Sequence, residues 1–426
     1  MTIINNIEID DIQYKRNIIK EAILNNDPID DKLHAVLVIS NPCLYARRYI
    51  LIKEFMQRME LEETNVLVYV VELAYKKQRF IITDAKNPRH LQLRTEVPIW
   101  HKENMINLGV RRLLPPTWKA MAWIDSDVEF DNPSWAMDTL KILNGTKDVV
   151  QLFNHCVDMD QNESAMSILT SFGSQYVRGR PYSTKLMNYW HPGYAWACTR
   201  KAYEKMGGLL ETPILGSADN IMSLCFIQRG QKGIHGSSSE DYKNKVREFQ
   251  ERVKTLRLGY VPGVIRHYFH GSKKNRRYHD RWQILLDYDF EPSVHLMKDK
   301  NGLLVPSPEC PQGMLDEIMQ YFEERNEDEF YQNPMTRKIE TYDDIPSTED
   351  VVTSVFSNEL EEFDPIATNT NEPEYIDMWS MGNDPAQPIY DDDDEYVDND
   401  VDDDEDFDDI TSPRVFANLL RKWFKW

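Results

Sequence analysis

The chain has 426 residues, of which 41% are hydrophobic and 11% aromatic, enough for a buried core and for two or three structural units. Its net charge of −22 comes from the C-terminal part of the chain. Residues 341–410 contain 26 acidic and no basic residues, and the last sixteen residues contain four basic and no acidic ones. Residues 1–340 are therefore neutral overall, which argues against a protein that binds nucleic acid through clustered cations.

The cysteine pattern argues against a disulfide framework or a zinc site. Five scattered cysteines show no Cys-x-x-Cys spacing: Cys43, Cys156, Cys198, Cys225 and Cys310. Such usage is typical of a reducing compartment. The first residues lack the layout of a signal peptide, and no run of about eighteen apolar residues occurs. We therefore expect a cytoplasmic protein.

The first part of the chain predicts alternating helices and strands. Residues 11–24 have the apolar spacing of a helix, and Leu33–Ser40 is a continuous apolar run typical of a buried strand. A helix over residues 45–59, a strand over residues 65–71 and a short strand at Phe80–Thr83 are expected next. This alternation predicts a parallel sheet covered by helices.

Two carboxylates follow the next predicted strand. After a helix over residues 100–112, the apolar run from Ala120 breaks into Asp125 and Asp127, and a turn at Asp131-Asn132-Pro133 follows. In open α/β sheets, ligands bind at the carboxyl ends of the strands. These aspartates are therefore placed to meet a divalent cation and the phosphates that it carries.

The following stretch predicts further helices around an aromatic segment. A helix over residues 135–143 and a strand over residues 148–153 precede the aromatic segment Trp190–Ala197. Thr199 is expected to cap a helix that ends at Met206. An apolar helix over residues 221–228 follows. Asp219 stands just before it, where a carboxylate fits either a helix N-cap or a catalytic role.

A pair of histidines and a basic loop come last. A helix over residues 240–256 and a strand over residues 258–261 lead to the segment Val264–Gly271, which contains His267 and His270. The basic loop over residues 272–277 contains Lys273, Lys274, Arg276 and Arg277, and a helix over residues 278–286 follows.

These groups together favour a site for a cation and a diphosphate. Manganese accepts carboxylate and imidazole ligands, so Asp125, Asp127 and either His267 or His270 can supply a set. A cation there acts as a Lewis acid on a diphosphate leaving group, and the basic loop can add counter-charge. Taken singly, the histidines also fit a packed strand end and the loop a solvated surface.

The chain resembles the GT-A-type glycosyltransferases, which are metal-dependent and use nucleotide-sugar donors. Asp125-Ser126-Asp127 resembles the Asp-x-Asp motif of that family, which implies that Asp127 binds Mn²⁺ or Mg²⁺ and that Asp125 faces the donor's ribose or the metal-bound phosphate. Trp100–Gly109 is similar to the donor-side helix of the Golgi beta-galactosyltransferases, and this implies that Lys102 and Asn107 lie near the donor.

Two later segments extend the resemblance, which covers about residues 33–290. Gly216–Asp219 resembles the Gly-Gly-Glu-Asp segment of the galactosyltransferases, which implies that Asp219 is the catalytic base, although Ala218 departs from the acidic residue expected there. Ile265–His267, with Lys273, Lys274 and Arg277 beyond it, resembles the strand that brings the family's histidine to the metal. The resemblance leaves open whether His267 or His270 is the ligand.

The sequence therefore predicts a GT-A-like three-layer α/β/α domain with a mixed, mostly parallel sheet over residues 32–300. An N-terminal helical extension (1–31), a peripheral segment (301–340), a disordered acidic tail (341–410) and a basic amphipathic end (411–426) are expected around it.

The predicted function is transfer of a sugar from a nucleotide-diphosphate donor, UDP by resemblance, to a hydroxyl of a glycan or protein, with inversion. The alternatives are a retaining transferase, a sugar-1-phosphate nucleotidyltransferase, and an interaction protein that acts through its tail. The basic end could bind a protein partner or a membrane surface.

Overall fold

A seven-stranded sheet forms the centre of the computed structural model, which describes residues 2–4, 7–9, 32–62, 65–184 and 189–329. The predicted helix over residues 11–24, the acidic tail and the basic end lie outside these ranges. The described strands are β1 (Thr2–Ile4), β2 (Ile7–Ile9), β3 (Leu33–Ser40), β4 (Val66–Tyr75), β5 (His90–Thr95), β6 (Ala120–Ile124), β7 (Val128–Phe130), β8 (Val149–Gln151), β9 (His155–Met159), β10 (Ala165–Ser171), β11 (Trp190–His191), β12 (Ala195–Thr199), β13 (Leu258–Tyr260), β14 (Val264–His267), β15 (Leu296–Lys298) and β16 (Leu304–Pro306).

Helices connect these strands. The described α-helices are α1 (Ala46–Glu62), α2 (Lys102–Leu113), α3 (Trp135–Leu143), α4 (Phe172–Val177), α5 (Arg200–Met206), α6 (Ala218–Phe226), α7 (Glu240–Val253), α8 (Trp282–Asp287), α9 (Pro292–His295) and α10 (Gln312–Glu324). In this part of the chain, no helix has both the length and the apolar character needed to cross a membrane.

The central sheet is mixed and mostly parallel, as predicted. Its strand order is β13-β8-β12-β6-β3-β4-β5, and only β12 runs antiparallel to its neighbours, β6 and β8. Trp123 of β6 and Trp196 of β12 are directly paired, and their rings stack with centroids 6.4 Å apart. This cross-strand contact fixes the register of the one reversed strand.

Helices cover both faces of the sheet. Alternate residues of a strand point to opposite faces, and Met121 and Trp123 of β6 accordingly pack in the cluster that contains apolar side chains of α2, α5, α6 and α7. Ala120, Ala122 and Ile124 pack in the other cluster, with side chains of α1 and α3. The predicted three-layer α/β/α arrangement is therefore confirmed.

A second sheet lies beside the first, with the strand order β11-β10-β9-β14-β7. Two of its strands, β9 and β10, were not predicted from the sequence. The register places His267 of β14 opposite Asp158 of the parallel strand β9 and opposite Val128 of the antiparallel strand β7. The pairing of these strands therefore brings His267 close to Asp127, the residue before Val128.

Residues 80–83 do not form the strand that we predicted. The Glu72 carboxylate accepts hydrogen bonds from the backbone N–H groups of Ile81, Ile82 and Thr83 at 2.7, 3.1 and 2.8 Å. These donors are thus satisfied by a side chain rather than by a neighbouring strand. The edge strand next to β4 is instead β5, His90–Thr95.

Candidate functional site

The site begins where β6 ends, immediately before Asp125. Because β3, β4 and β6 are parallel, their carboxyl ends meet at one edge of the sheet, where α/β folds bind ligands. Asp125 N donates to Tyr194 O at 2.8 Å, and Tyr268 N donates to Asp127 O at 2.8 Å. Backbone hydrogen bonds to Tyr194 and Tyr268 therefore hold the main chain of the two predicted aspartates in place.

Asp127, His267 and His270 form the candidate metal centre, with one ligand atom from each within 4.8 Å of the others. Asp127 Oδ2 lies 2.9 Å from His270 Nε2 and 3.8 Å from His267 Nε2, and these two nitrogens are 3.3 Å apart. Asp127 Oδ1 is buried and has no hydrogen-bond partner among the described residues.

These residues fit a divalent cation. A buried carboxylate oxygen without a partner is costly, and a cation held between Asp127 and the two imidazoles would satisfy it. A mixed carboxylate and imidazole set suits a transition-metal dication such as Mn²⁺ better than Mg²⁺, which prefers oxygen ligands. Burial alone would raise the pKa of Asp127, but the nearby His270, His267 and Arg276 hold it well below its usual range.

Asp158 lies behind His267. Its side chain is 1% exposed, and its Oδ1 is 2.7 Å from His267 Nδ1, while Lys273 forms an ion pair with its Oδ2. Burial works against the charged form, but His267 and Lys273 outweigh it and hold the pKa of Asp158 at about 2. The predicted basic residue Lys273 is thus already paired with a buried carboxylate.

His270 has different neighbours. Arg276 Nη2 lies 2.8 Å from His270 Nδ1 and donates to His270 O at 3.1 Å. The Glu327 carboxylate, which is fully buried between Arg48 and Arg325, lies 3.8 Å from His270 Nδ1, beyond hydrogen-bond distance. The two histidines therefore present their Nε2 atoms to Asp127 from unlike environments.

Asp125 is not part of the Asp127, His267 and His270 cluster. Its carboxylate instead forms an ion pair with Lys102 in the first turn of α2. Burial raises the pKa of Asp125; Lys102 opposes this effect and Asp127 adds to it. Burial lowers the pKa of Lys102, but Asp125, Asp219 and Glu103 outweigh it and raise that pKa above its usual range. Lys102 thus neutralises a group of carboxylates that includes Asp219.

Asp219 lies in the first turn of α6, whose N-cap residue is Ser217. Because Ser217 is the N-cap residue, the prediction that Asp219 is the N-cap is wrong. Asp219 Oδ1 accepts a hydrogen bond from Asn220 N at 2.9 Å. A Cβ atom at Gly193 would lie 3.0 Å from Asp219 Oδ2 and 3.1 Å from His191 Cε1. The absence of a side chain at Gly193 is what allows the Asp219 carboxylate to approach this turn.

The turn at residues 191–194 is supported from within the core. Gln151 is fully buried, and its Nε2 donates to His191 O at 2.9 Å and to Gly193 O at 3.0 Å. The Tyr194 ring packs between His191, at a centroid distance of 4.3 Å, and His267, at 4.6 Å. Tyr194 has a φ of +79°, an unfavourable backbone conformation of the kind that clusters at functional sites.

Two of the predicted donor-side residues have their polar groups bonded to partners within the protein. Asn107 Nδ2 donates to Leu209 O and Glu211 Oε1, and its Oδ1 accepts from Leu209 N and Tyr203 Oη. No hydrogen-bonding group of Asn107 therefore remains for a ligand. Arg277 forms an ion pair with Glu324 of α10 at 2.5 Å. Lys274 is exposed on the basic loop.

Four residues near the site were not predicted from the sequence: Asp158, Gln151, Tyr194 and Glu327. The signal for Asp158 is the alternation in β9, where Cys156 and Asp158 are buried and His155 and Val157 are half-buried. A single carboxylate in such a short pattern does not reveal its partner, because the partner lies on another strand.

No protein-family model matches this chain, and no curated protein matches it by sequence. Among solved structures, it is similar to the catalytic domain of Drosophila beta-1,4-galactosyltransferase 7 with xylobiose, at 9% identity over 67% of this chain and 98% of that chain, with a TM-score of 0.28. A mutant of that enzyme with manganese, UDP-Gal and xylobiose has 10% identity over the same shares, 67% and 98%, and a TM-score of 0.32. A mannosyltransferase from Pyrobaculum calidifontis with GDP-Man and Mn²⁺ has 11% identity over 78% of this chain and 81% of that chain, and a TM-score of 0.33.

Proposed function

We propose that this chain is a metal-dependent glycosyltransferase that moves a sugar from a nucleoside-diphosphate donor to an acceptor hydroxyl. The observation that carries the proposal is the unpaired, buried Asp127 Oδ1 beside the Nε2 atoms of His267 and His270, at the carboxyl edge of a parallel sheet. UDP is the donor nucleotide that we propose, from the resemblance of Asp125-Ser126-Asp127 to the Asp-x-Asp motif.

Asp127, His267 and His270 would hold the cation, with Mn²⁺ as the first candidate. When bound, such a cation supplies Lewis-acid stabilisation of the diphosphate leaving group. Lys274 and Arg276 stand on the loop next to His270 and would add positive charge on the phosphate side.

Asp125 would face the ribose of the donor. A quarter of its side chain is exposed, 25%, so the carboxylate can accept a hydrogen bond from a ribose hydroxyl while Lys102 holds it in place. Lys102 is itself 21% exposed, and its main role in the proposal is to hold the Asp125 carboxylate in place through their ion pair.

Asp219 would act as the general base. Its carboxylate is half-buried at the start of α6, and its Oδ2 faces the turn at Gly193. A carboxylate so placed can accept the proton of an acceptor hydroxyl as that oxygen attacks the anomeric carbon. Attack from the face opposite the leaving group inverts the configuration, so the anomeric configuration of the product distinguishes this mechanism from a retaining one.

The nucleotidyltransferase alternative is disfavoured by the loop after β3. That reaction needs a glycine-rich, cationic loop, whereas Asn41 bonds here to both the backbone N–H and the carbonyl of Tyr45. The nearby cation Arg48 is committed to the buried Glu327 carboxylate.

The test is a screen of UDP-, GDP- and ADP-sugars against the full chain with and without Mn²⁺. We expect one donor to raise Tm only when Mn²⁺ is present, and slow release of its nucleoside diphosphate by hydrolysis or by transfer to added glycosides. Asp127→Asn should abolish both effects. Asp148→Asn is the matched control, because Asp148 precedes β8 and lies at the opposite edge of the sheet, where it pairs with Arg257. If no donor binds to the Mn²⁺-loaded protein, the proposal is wrong.

A further inference from the structure

The two histidines of the candidate metal centre differ in the group that lies next to Nδ1 of each ring. His267 Nδ1 lies 2.7 Å from Asp158 Oδ1, within hydrogen-bond distance of a carboxylate that is 1% exposed. A carboxylate can only accept, so the proton of His267 must sit on Nδ1. That tautomer leaves the lone pair of Nε2 directed at Asp127 and His270.

His270 is not held in the same way. Arg276 Nη2, which can only donate, lies 2.8 Å from its Nδ1 and 3.0 Å from its Nε2, and Glu327 Oε2 is 3.8 Å from Nδ1. A donor that is close to both ring nitrogens does not select one tautomer. Arg276 thus leaves the tautomer of His270 open, whereas Asp158 fixes that of His267.

Asp158 is in turn fixed by groups that do not belong to the centre. Lys273 forms an ion pair with its Oδ2, and Ser167 Oγ donates to the same oxygen at 3.4 Å. The parallel pairing of β9 with β14 sets His267 and Asp158 opposite each other in register. The carboxylate is therefore oriented by the sheet and by Lys273, independently of any bound cation.

We propose that Asp158 is a positioning residue that fixes the tautomer and orientation of His267 and so makes His267 the leading imidazole ligand of the centre. This inference rests on the metal site of the proposed function. A histidine ligand commonly donates its other ring N–H to a carboxylate, and loss of that partner typically weakens metal binding about 10–100-fold.

The test is a Mn²⁺ titration of the full chain, with free Mn²⁺ measured by electron paramagnetic resonance. We expect Asp158→Asn, which keeps an acceptor oxygen but loses the charge, to weaken binding about tenfold, and Asp158→Ala to weaken it about a hundredfold. Lys273→Met should weaken binding less than Asp158→Ala does, since Asp158 loses its ion pair but keeps its bond to His267. Asp148→Asn removes an ion-paired carboxylate at the opposite sheet edge and should leave Mn²⁺ affinity unchanged.

A second readout separates positioning from general loss of stability. The ¹⁵N shifts of His267 in the metal-free protein should report the Nδ1–H tautomer in wild type and in Lys273→Met, and a mixture of tautomers in Asp158→Ala. An Nε2–H tautomer in wild type would overturn the inference, as would Mn²⁺ affinity that Asp158→Ala leaves unchanged. Absence of Mn²⁺ binding by wild type would instead refute the proposed function, and the inference with it.

Discussion

The most informative single change is Asp127→Asn. The substitution keeps the shape of the side chain and removes the charge of the carboxylate whose Oδ1 is buried without a partner. An amide is a far poorer ligand for a dication than a carboxylate is. We therefore expect the variant to fold and to lose most of its affinity for Mn²⁺.

The size of the effect follows from linkage. At a Mn²⁺ concentration one hundred times Kd, binding stabilises the wild type by about 2.7 kcal/mol. Loss of a direct ligand should weaken binding by at least the roughly 100-fold seen for outer partners. The variant is then at most half saturated at the same concentration, and its gain is about 0.4 kcal/mol. At about 2 °C per kcal/mol, Mn²⁺ should raise Tm by roughly 5 °C in wild type and by less than about 1 °C in Asp127→Asn.

The assay is differential scanning fluorimetry of each variant with and without Mn²⁺, so that each protein is its own reference. Loss of the contact between Asp127 and His270 can shift the metal-free Tm, and only the Mn²⁺ increment is compared. Asp148→Asn breaks the ion pair with Arg257 and should lower the metal-free Tm while keeping the full Mn²⁺ increment. Equal Mn²⁺ increments in Asp127→Asn and wild type would show that the cation binds elsewhere and would refute the assignment of the centre.

Four further predictions concern Asp219, Gly193, Glu103 and the C-terminal tail. Asp219→Asn should lower the transfer rate about 10²- to 10⁴-fold while leaving the Mn²⁺-dependent donor shift intact, and an unchanged rate would exclude Asp219 as the base. Gly193→Ala should lower kcat, because the added Cβ would lie 3.0 Å from Asp219 Oδ2, whereas Gly236→Ala, which has no heavy atom within 4 Å of its added Cβ, should not. Burial raises the pKa of Glu103 from 4.5 to about 8, so between these pH values the native state holds a proton that the unfolded chain releases. The free energy of unfolding should therefore fall by about 1.4 kcal/mol per pH unit as pH rises through this range. Denaturant titrations at pH 5 and 8 should show this fall in wild type and a smaller one in Glu103→Gln. We expect the tail, residues 341–426, to dock or localise the enzyme. Its deletion should then leave transfer to free sugar acceptors unchanged, and loss of that activity would contradict this role.

The sequence determined the elements whose signals are local. Leu33–Ser40, Trp135–Leu143 and Arg200–Met206 were predicted to the residue. A continuous apolar run, an amphipathic period and the Thr199 cap, whose hydroxyl accepts from Ala202 N at 3.1 Å, are all written within a few residues of the chain. The α/β class and the parallel sheet follow from the order of such elements.

The sequence also pointed to Asp127, His267 and His270, since carboxylates after a buried strand and closely spaced histidines are visible without a partner. Local patterns treated Asp125 and Asp127 alike, and only the resemblance to the GT-A-type transferases gave them different roles. In the structure, Lys102 comes from another element and pairs with Asp125, whereas Asp127 lies with the two histidines.

The tertiary structure alone decided which side chains meet. Asp158 faces His267 because β9 and β14 pair in one register, although the two residues are 109 positions apart in the chain. Asn107 and Arg277 were expected near the donor, but their hydrogen bonds are made with Glu211, Leu209 and Glu324. Strand register and side-chain partners depend on packing between distant segments, where a shift of one residue turns each side chain to the other face. Local sequence patterns do not determine this register, and it is the register of β9 and β14 that brings the Asp158 carboxylate to His267.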